Sequence, residues 1–475
     1  MQTPRPSSTR RNARPATGFQ IIFYTSKLTP NYICDNNSPS VAFPPRHPSM
    51  KDSRISVVFL TNSLHGGGAE RSLLEVFHAV DRRIFDVSLW RLSQENFYPE
   101  YLSASSSTEV LPPLTMTDKD LPKFKSLAGM LPDYLGSVYA EEFLGDGLRV
   151  QQRFAQTRRL ITNPVIFVCS QLSMNVRGAV FQWLSNYDHP LIFIEQNEPH
   201  TRYSFGESEA VRNLAWARIR KLYPWATHVV AVSRTVKRSL MTRFGIDPRR
   251  VSVIPNPVNL DRFQPLATTK ASPPHEFYRG RTPVLLCVSR FTVQKNHHLL
   301  LRSFARVRQK MRLKLILLGQ GPLKEAIRRT TYEMNLAKDV AILDFQADLR
   351  DYLAHADLLL LSSYCEGHSL ALLEALACGT PVVSTNWPGV AEVVHQRVNG
   401  VICQANDAAL AAGIMAGLRL AKTKGVGSKL VDSVRRFGVH KVAQKYEKLF
   451  MEIARQNWLT RTEAAQAASV GQAKE

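Results

Sequence analysis

The sequence predicts an α/β protein of two doubly wound, Rossmann-like domains facing each other across a cleft. Three observations carry this. Beyond residue 50, short runs rich in Val, Ile, Leu and Phe alternate with longer amphipathic stretches, as in strand–helix–strand units built around a parallel sheet. The alternation is punctuated at VSVIPNPVNLDRFQP and resumes after residue 282, which separates two units. Glycines, cations and carboxylates follow directly on the strand-like runs, where open α/β sheets bind their ligands.

Taken in order, residues 1–49 open on MQTPRPSSTRRNARPATG and carry no acidic residue before Asp35. They read as a disordered tail or a mis-assigned start, with Met50 as the natural beginning of the first domain; their arginines also suit a transit peptide. In the first domain, residues 50–262, ISVVFL, FDVSLWRL, PVIFVCS, PLIFIEQN and THVVAVS read as strands. The stretch 102–147 fits this pattern poorly, and its LPPLTMTDKDLP reads as a loop. Residues 263–282 read as a hinge or linker. The second domain, 283–440, carries PVLLCVS, KLILLG, VAILDF, DLLLLSS, PVVST and NGVIC as its strands. A terminal helix is expected over 441–458 and a disordered tail over 459–475.

Composition narrows the function. Lys plus Arg number 61 against 39 Asp plus Glu, a net charge of +22, which favours polyanionic partners. Zinc-finger spacing, an aromatic RNA-binding signature and a clear helix-turn-helix are all missing from the sequence, so nucleic acid is not the expected partner. Basic and aromatic residues interleave over 149–161 and 212–225; each reads first as a solvated helix face, and together they admit an anionic membrane surface. No run approaches the roughly 18 apolar residues of a membrane span. The six cysteines form no CxxC pair and suit buried thiols in a reducing compartment. The expected location is cytoplasmic, with attachment to the inner face of the cell membrane as an option.

Four motifs stand at strand ends. In LTNSLHGGGAERSLLEV, Gly67 and Gly68 precede a helix, and backbone without side chains at a helix N-terminus suits a phosphate or simply a tight turn. In LLCVSRFTVQKN, Arg290 and Lys295 supply one forked and one point-like cation, a pair suited to a diphosphate or to plain surface exposure. In LILLGQGPL, Gly319 and Gly321 form a turn that admits a nucleotide or merely joins strand to helix. In YCEGHSLALLEALACGTPVV, a buried strand leads to a loop and then to a helix starting near Ser369 and stopping at Gly379. Glu366 stands at that helix mouth and Glu374 one turn inside, where a carboxylate needs partners.

These motifs, in this order, resemble the signatures of retaining glycosyltransferase family four, of the GT-B fold. GGGAER, VSRFTVQKN, LGQGP and EGHSLALLEALACGTPVV carry the resemblance, with VAVSRTVKRSL, VIPNPVNLDRF and NGVIC between and after them. The match runs from about residue 55 to 458 and is most specific in its C-terminal half; the resemblance implies that residues 50–262 form the acceptor-side domain and residues 283–440 the nucleotide-sugar-binding domain. The resemblance implies that Glu366 contacts the donor sugar near the reacting centre and Glu374 the nucleotide ribose. It implies that Arg290 and Lys295 neutralise the diphosphate. Gly67 and Gly68 would approach the phosphates, and His368, Ser369 and Leu370 would complete the donor cradle with Gly319 and Gly321. Many members carry a histidine after an N-domain strand. Here FIEQNEPH offers Glu195 and Asn197 first, with His200 beyond them.

The implied reaction moves a sugar from a nucleotide-sugar, UDP being the commoner nucleotide, to an acceptor hydroxyl with retention. No cofactor or metal is expected: Asp118-Lys119-Asp120 spells the Asp-x-Asp of metal-dependent transferases but does not follow a strand. The acceptor suited to a basic, peripheral enzyme is a lipid-linked or cell-surface glycan, as in lipopolysaccharide or capsule assembly. The alternatives are a catalytically silent binding protein of the same fold and a phosphorylase or epimerase built on it.

Overall fold

The computed structural model describes residues 54–64, 66–96, 98, 107–113, 140–158, 165–185, 189–263 and 273–472. Residues 1–49, the segment 118–120 and Cys34 lie outside them.

The N-terminal unit runs β1 (Ile55–Thr61), α1 (Gly68–Ala79), β2 (Phe85–Arg91), β3 (Thr108–Val110), α2 (Ala140–Arg158), β4 (Val165–Ser170), α3 (Leu172–Leu184), β5 (Leu191–Glu195), α4 (Pro199–Arg202), α5 (Glu209–Leu222), β6 (His228–Ala231), α6 (Arg234–Phe244) and β7 (Val251–Val253). Its seven strands form one parallel sheet in the order β3-β2-β1-β4-β5-β6-β7. All five strand-like runs of the sequence are strands. Two more are added at the edges, β3 and β7, each only three residues long. The VSV of β7 lies in the stretch that reads as punctuation in the sequence, because three residues are too few to show a period. Strands β4 and β5 are buried at every position, as a sheet covered on both faces requires.

The second unit runs β8 (Val284–Val288), α7 (His297–Arg308), β9 (Lys314–Leu318), α8 (Lys324–Glu333), β10 (Val340–Leu343), α9 (Arg350–His355), β11 (Leu358–Leu361), α10 (Leu370–Ala377), β12 (Val382–Thr385), β13 (Gly400–Cys403), α11 (Asp407–Ala421) and α12 (Val426–Val434). Its six strands are again parallel, in the order β10-β9-β8-β11-β12-β13. Separate apolar clusters cover its two faces, one built on Leu286, Ile316 and Leu359 and the other on Leu285, Leu315 and Leu358. Alternate residues of one strand thus serve opposite layers.

The last helix, α13 (Val439–Gln472), returns to the first unit. Val442, Tyr446, Leu449, Phe450 and Ile453 join the N-terminal core, and Phe450 meets the rings of Phe59 and Phe85 edge-on. Where the chain crosses back, Val258 and Val439 pair: Val258 N donates to Phe437 O at 2.8 Å and Val439 N to Val258 O at 3.0 Å. The sequence reading ends this helix at 458 and makes the remainder disordered; the helix instead continues through Gln472. The run TEAAQAAS holds strong helix formers and no proline, so nothing in it stops propagation. Among the described residues, no helix is long and apolar enough to cross a membrane.

Candidate functional site

Each sheet has one place where its strand order reverses, and chain segments leave a crevice there. In the second unit that place lies between β8 and β11. The loop after β8 carries Arg290 and Lys295, and the loop after β11 carries Glu366. Lys295 Nζ meets Glu366 Oε1 at 2.5 Å, and Ser363 Oγ donates to the same oxygen at 2.7 Å. The two loops are sewn together. Ser362 Oγ donates to the carbonyls of Lys295 and Asn296 at 2.8 and 3.0 Å, and Gln294 Nε2 donates to Cys365 O at 2.7 Å. Arg290 is exposed at the rim and forms no ion pair with the described residues. Beyond Glu366, Ser369 is the N-cap of α10 with extended backbone, yet its side chain makes no capping bond. The first amides of α10, beside Leu370 and Ala371, therefore face the cleft with the positive end of the helix dipole.

The wall opposite belongs to the N-terminal unit. Gly66, Gly67, Gly68, Glu70, Gln171, Gln196 and Asn197 line it, and the cleft between the walls holds about 1130 Å³ including its open mouth. A methyl group added at Gly67 would collide with the Glu70 carboxylate. Gly67 thus makes room for that carboxylate as well as shortening the turn. Across the cleft, a methyl at Gly367 would strike Gln196 O, so only glycine lets the α10 mouth come this close to the first unit.

Asn256 ties the walls together. It is buried, accepts from Ser72 Oγ on α1 at 2.8 Å, and donates to Gln196 Oε1 at 3.0 Å and to His368 O at 2.9 Å. One side chain at the start of the interdomain crossing thereby touches three elements of the site.

The other expected site residues are placed as follows. Glu374 is buried one turn inside α10, away from the cleft surface, and its carboxylate forms an ion pair with Arg71 of α1. Burial pushes its carboxyl up to about 7, while Arg71 pulls the other way. His368 lines the cleft but is buried against Phe437, and burial holds its imidazole down at about 3, so it is neutral. Gly319 lines the cleft; Gly321 does not. A methyl at Gly321 would lie 2.6 Å from Phe291 O, so this glycine serves the packing of two loops. Asn197 reaches the cleft, with Gln294 Nε2 3.5 Å from its Oδ1. Glu195 and His200 do not reach it. Tyr223 Oη donates to Glu195 Oε2 at 2.5 Å and Asn197 N to Oε1 at 3.2 Å, while burial lifts that carboxyl to about 7. His200 stacks on Trp216 with ring centroids 4.8 Å apart, and burial followed by Arg243 lowers its pKa.

Several site residues escaped the sequence reading. Arg71 stood in the quoted GGGAER, and a lone arginine ahead of SLLEVF was the available signal. Asn256 stands in a Pro-Asn-Pro turn, which reads only as punctuation in the sequence. Gln171 carried no sequence signal. In the basic stretch 149–161, Arg149 bonds Leu92 O and Pro112 O, and Arg153 pairs with Glu109. Arg218 and Arg220 lie over the rings of Phe143 and Phe244.

This is a two-domain α/β fold with a cationic pair and a helix N-terminus at the switch point of its second sheet, the plan of a nucleotide-sugar transferase. The model for glycosyltransferase family 4 matches residues 66–262, and that for glycosyl transferases group 1 matches residues 282–419. The chain belongs to glycosyltransferase family 4. A curated relative, the N-acetylgalactosamine-N,N'-diacetylbacillosaminyl-diphospho-undecaprenol 4-alpha-N-acetylgalactosaminyltransferase of Campylobacter jejuni, is 32% identical over 168 residues, 35% of this chain and 44% of that one. The chain spans about half the length of the curated relatives it matches. Anabaena HepE, solved with UDP and glucose, superposes with a TM-score of 0.62 at 18% identity over 84% of this chain and all of its own. Sucrose-phosphate synthase of Thermosynechococcus elongatus superposes at 0.64 with 19% identity, over 84% and 99% of the two chains. Likeness at this identity speaks for the GT-B fold alone.

Proposed function

We propose that this protein transfers a sugar from a nucleoside diphosphate donor to an acceptor hydroxyl, with retention at the anomeric carbon. The observation that carries the reading is the meeting of Lys295 and Glu366 at the β8/β11 switch point, beside Arg290 and the open N-terminus of α10. The costly event is departure of the diphosphate. The bond from C1 to the phosphate oxygen breaks and its electron pair leaves with the diphosphate. The acceptor oxygen then bonds to C1 on the same face and loses its proton to the departing phosphate. Lys295, Arg290 and the α10 amides stabilise the negative charge, and groups so preorganised commonly supply the largest catalytic term. Glu366, already held by Lys295 and Ser363, orients the hydroxyls of the donor sugar rather than acting as a base. Glu374, one turn deeper, is assigned to the ribose; to reach it, the diol takes over from Arg71.

The reading uses no metal, because side-chain cations and amides supply the positive charge. UDP is the preferred nucleotide on the strength of the family and of HepE, whose structures hold UDP. A lipid-linked or cell-surface glycan is the preferred acceptor. The lipid diphosphate in the name of the Campylobacter relative and the net charge of +22 support that choice. A cytoplasmic enzyme resting on the inner membrane face agrees with both.

The test is donor turnover. UDP-, GDP- and ADP-sugars are offered in turn and nucleoside diphosphate release is followed for wild type and Glu374→Ala. Slow hydrolysis of one donor, lost in the variant, names the donor. If no sugar nucleotide turns over and no nucleoside diphosphate raises the melting temperature, the transferase reading fails and a binding role on the same fold replaces it. Salt-sensitive binding to vesicles containing anionic lipid tests the membrane assignment.

A further inference from the structure

Helix α13 has two faces, and the core accounts for one of them. Val442, Tyr446, Leu449, Phe450 and Ile453 pack into the N-terminal unit, at the spacing of a single helical side. The opposite side is apolar as well. Met451, Trp458 and Leu459 are 42%, 39% and 42% exposed, and their i, i+7, i+8 spacing sets them together. Ile84, 43% exposed, stands in the turn that α13 grips, where Asp81 N donates to Glu447 Oε1 at 2.8 Å. Exposed apolar side chains gathered in this way mark an interaction surface, whereas scattered ones do not.

Charge on the same side is one-signed. Lys441, Lys448 and Arg455 recur at seven-residue intervals and run in a line along the outward side, all exposed. Lys445 is exposed on the flank of that line. Between Val439 and Leu459 the only exposed acid is Glu452, which stands 4.0 Å from Lys448. Lys441 and Arg455 form no ion pair with the described residues.

We propose that this outward face of α13 is where the protein rests on a membrane surface rich in anionic phospholipid. The inference rests on the membrane placement proposed above and is independent of the sugar chemistry. A helix lying in the plane of a membrane sinks Trp, Leu and Met into the acyl boundary and keeps Lys and Arg at the phosphates. Residues 441–459 offer both over about 27 Å of helix. Charge complementarity selects this occupant: a second copy of the chain would bring the same cations against their like, whereas each one near an anionic surface strengthens binding about fivefold. Since the inner face of α13 belongs to the N-terminal core, the helix brings that unit to the lipid.

The test is cosedimentation of the full chain with vesicles of phosphatidylcholine, with and without phosphatidylglycerol. Wild type is expected to bind the anionic vesicles at low salt and to leave them at about 0.5 M salt. Trp458→Ser with Leu459→Ser, and Lys448→Glu with Arg455→Glu, are each expected to weaken binding about tenfold or more. Their melting temperatures should hold, because all four side chains are exposed. Equal binding by wild type and both variants overturns this face and moves the membrane contact elsewhere. Equal binding to both kinds of vesicle overturns the choice of anionic lipid. No binding by wild type removes the membrane placement too, while donor turnover in solution still decides the transferase reading. A wild-type dimer in light scattering that Trp458→Ser with Leu459→Ser dissolves, with vesicle binding unchanged, assigns the face to a second copy instead.

Discussion

The guanidinium of Arg71, in the first helix of the N-terminal domain, grips the carboxylate of Glu374, one turn inside α10 of the second. Both side chains are buried, at 8% and 3% exposure, so this ion pair is a joint between domains. With Ser72 bonded to Asn256 and Asn259 to Glu75, it makes one face of α1 a seam against the hinge and the second unit.

Breaking one side of a buried pair leaves an uncompensated charge, whereas replacing both sides with apolar groups need not. Glu374→Leu, which leaves the Arg71 guanidinium charged without that carboxylate, is therefore expected to lower stability by about 3–5 kcal/mol, and Arg71→Leu by less, because the buried Glu374 carboxyl then takes up a proton. Arg71→Leu combined with Glu374→Leu is expected to lose clearly less than the sum of the two single changes. Urea denaturation of the three variants checks this, and strict additivity would show that the two residues do not act as a pair.

Lys295→Ala is expected to lower donor turnover about 10²- to 10³-fold, the usual worth of one preorganised charge-stabilising donor. The variant should still melt cooperatively, because Ser363 continues to hold Glu366. Steady-state release of nucleoside diphosphate measures the effect; near-normal turnover would remove Lys295 from the chemistry.

Glu195 offers a pH signature. Burial lifts its carboxyl from 4.5 to about 7 in the fold, against the bonds from Tyr223 and the Asn197 and Gln196 amides. The folded state then holds its proton more tightly than the unfolded state. Its contribution is fully present below pH 4.5 and is lost as pH rises to about 7. The loss amounts to about 3 kcal/mol. Glu195→Gln removes it, so the stability difference between wild type and variant should shrink by that amount from pH 4.5 to 8. His368 acts with the opposite sign. Its pKa is depressed from 6.5 to about 3 by burial, and its contribution is lost as pH falls, so only comparison with the variant isolates Glu195. A difference that stays flat with pH would mean the carboxyl ionises normally in the fold.

Turnover in excess EDTA is expected to match turnover with added Mg²⁺, since Lys295, Arg290 and the α10 amides carry the charge. Activity that vanishes in EDTA and returns with Mg²⁺ would assign that charge to a metal.

The apolar runs were readable as strands because each is continuous and bounded by polar residues, and βαβ alternation fixes their parallel pairing. The mouth of α10 was readable too: Ser369 opens it, Gly379 at φ 77° ends it, and the apolar LALLEALA between them leaves Glu374 conspicuous. The edge strands β3 and β7 were missed, being only three residues long. The end of α13 lies beyond the expected one because an alanine-rich run needs no amphipathic face to extend an existing helix.

The sequence by itself determined two parallel sheets, their order along the chain, and the motifs that end their strands, since these follow from local periodicity and chain connectivity. Tertiary structure decided which of those motifs meet. Glu374 turned away to Arg71, Glu195 to Tyr223 and His200 to Trp216, while Gln171, which had no sequence signal, reached the cleft. Partner choice among buried polar groups depends on which charges and donors the packing brings within about 3 Å, and no spacing along one chain encodes that distance between two domains.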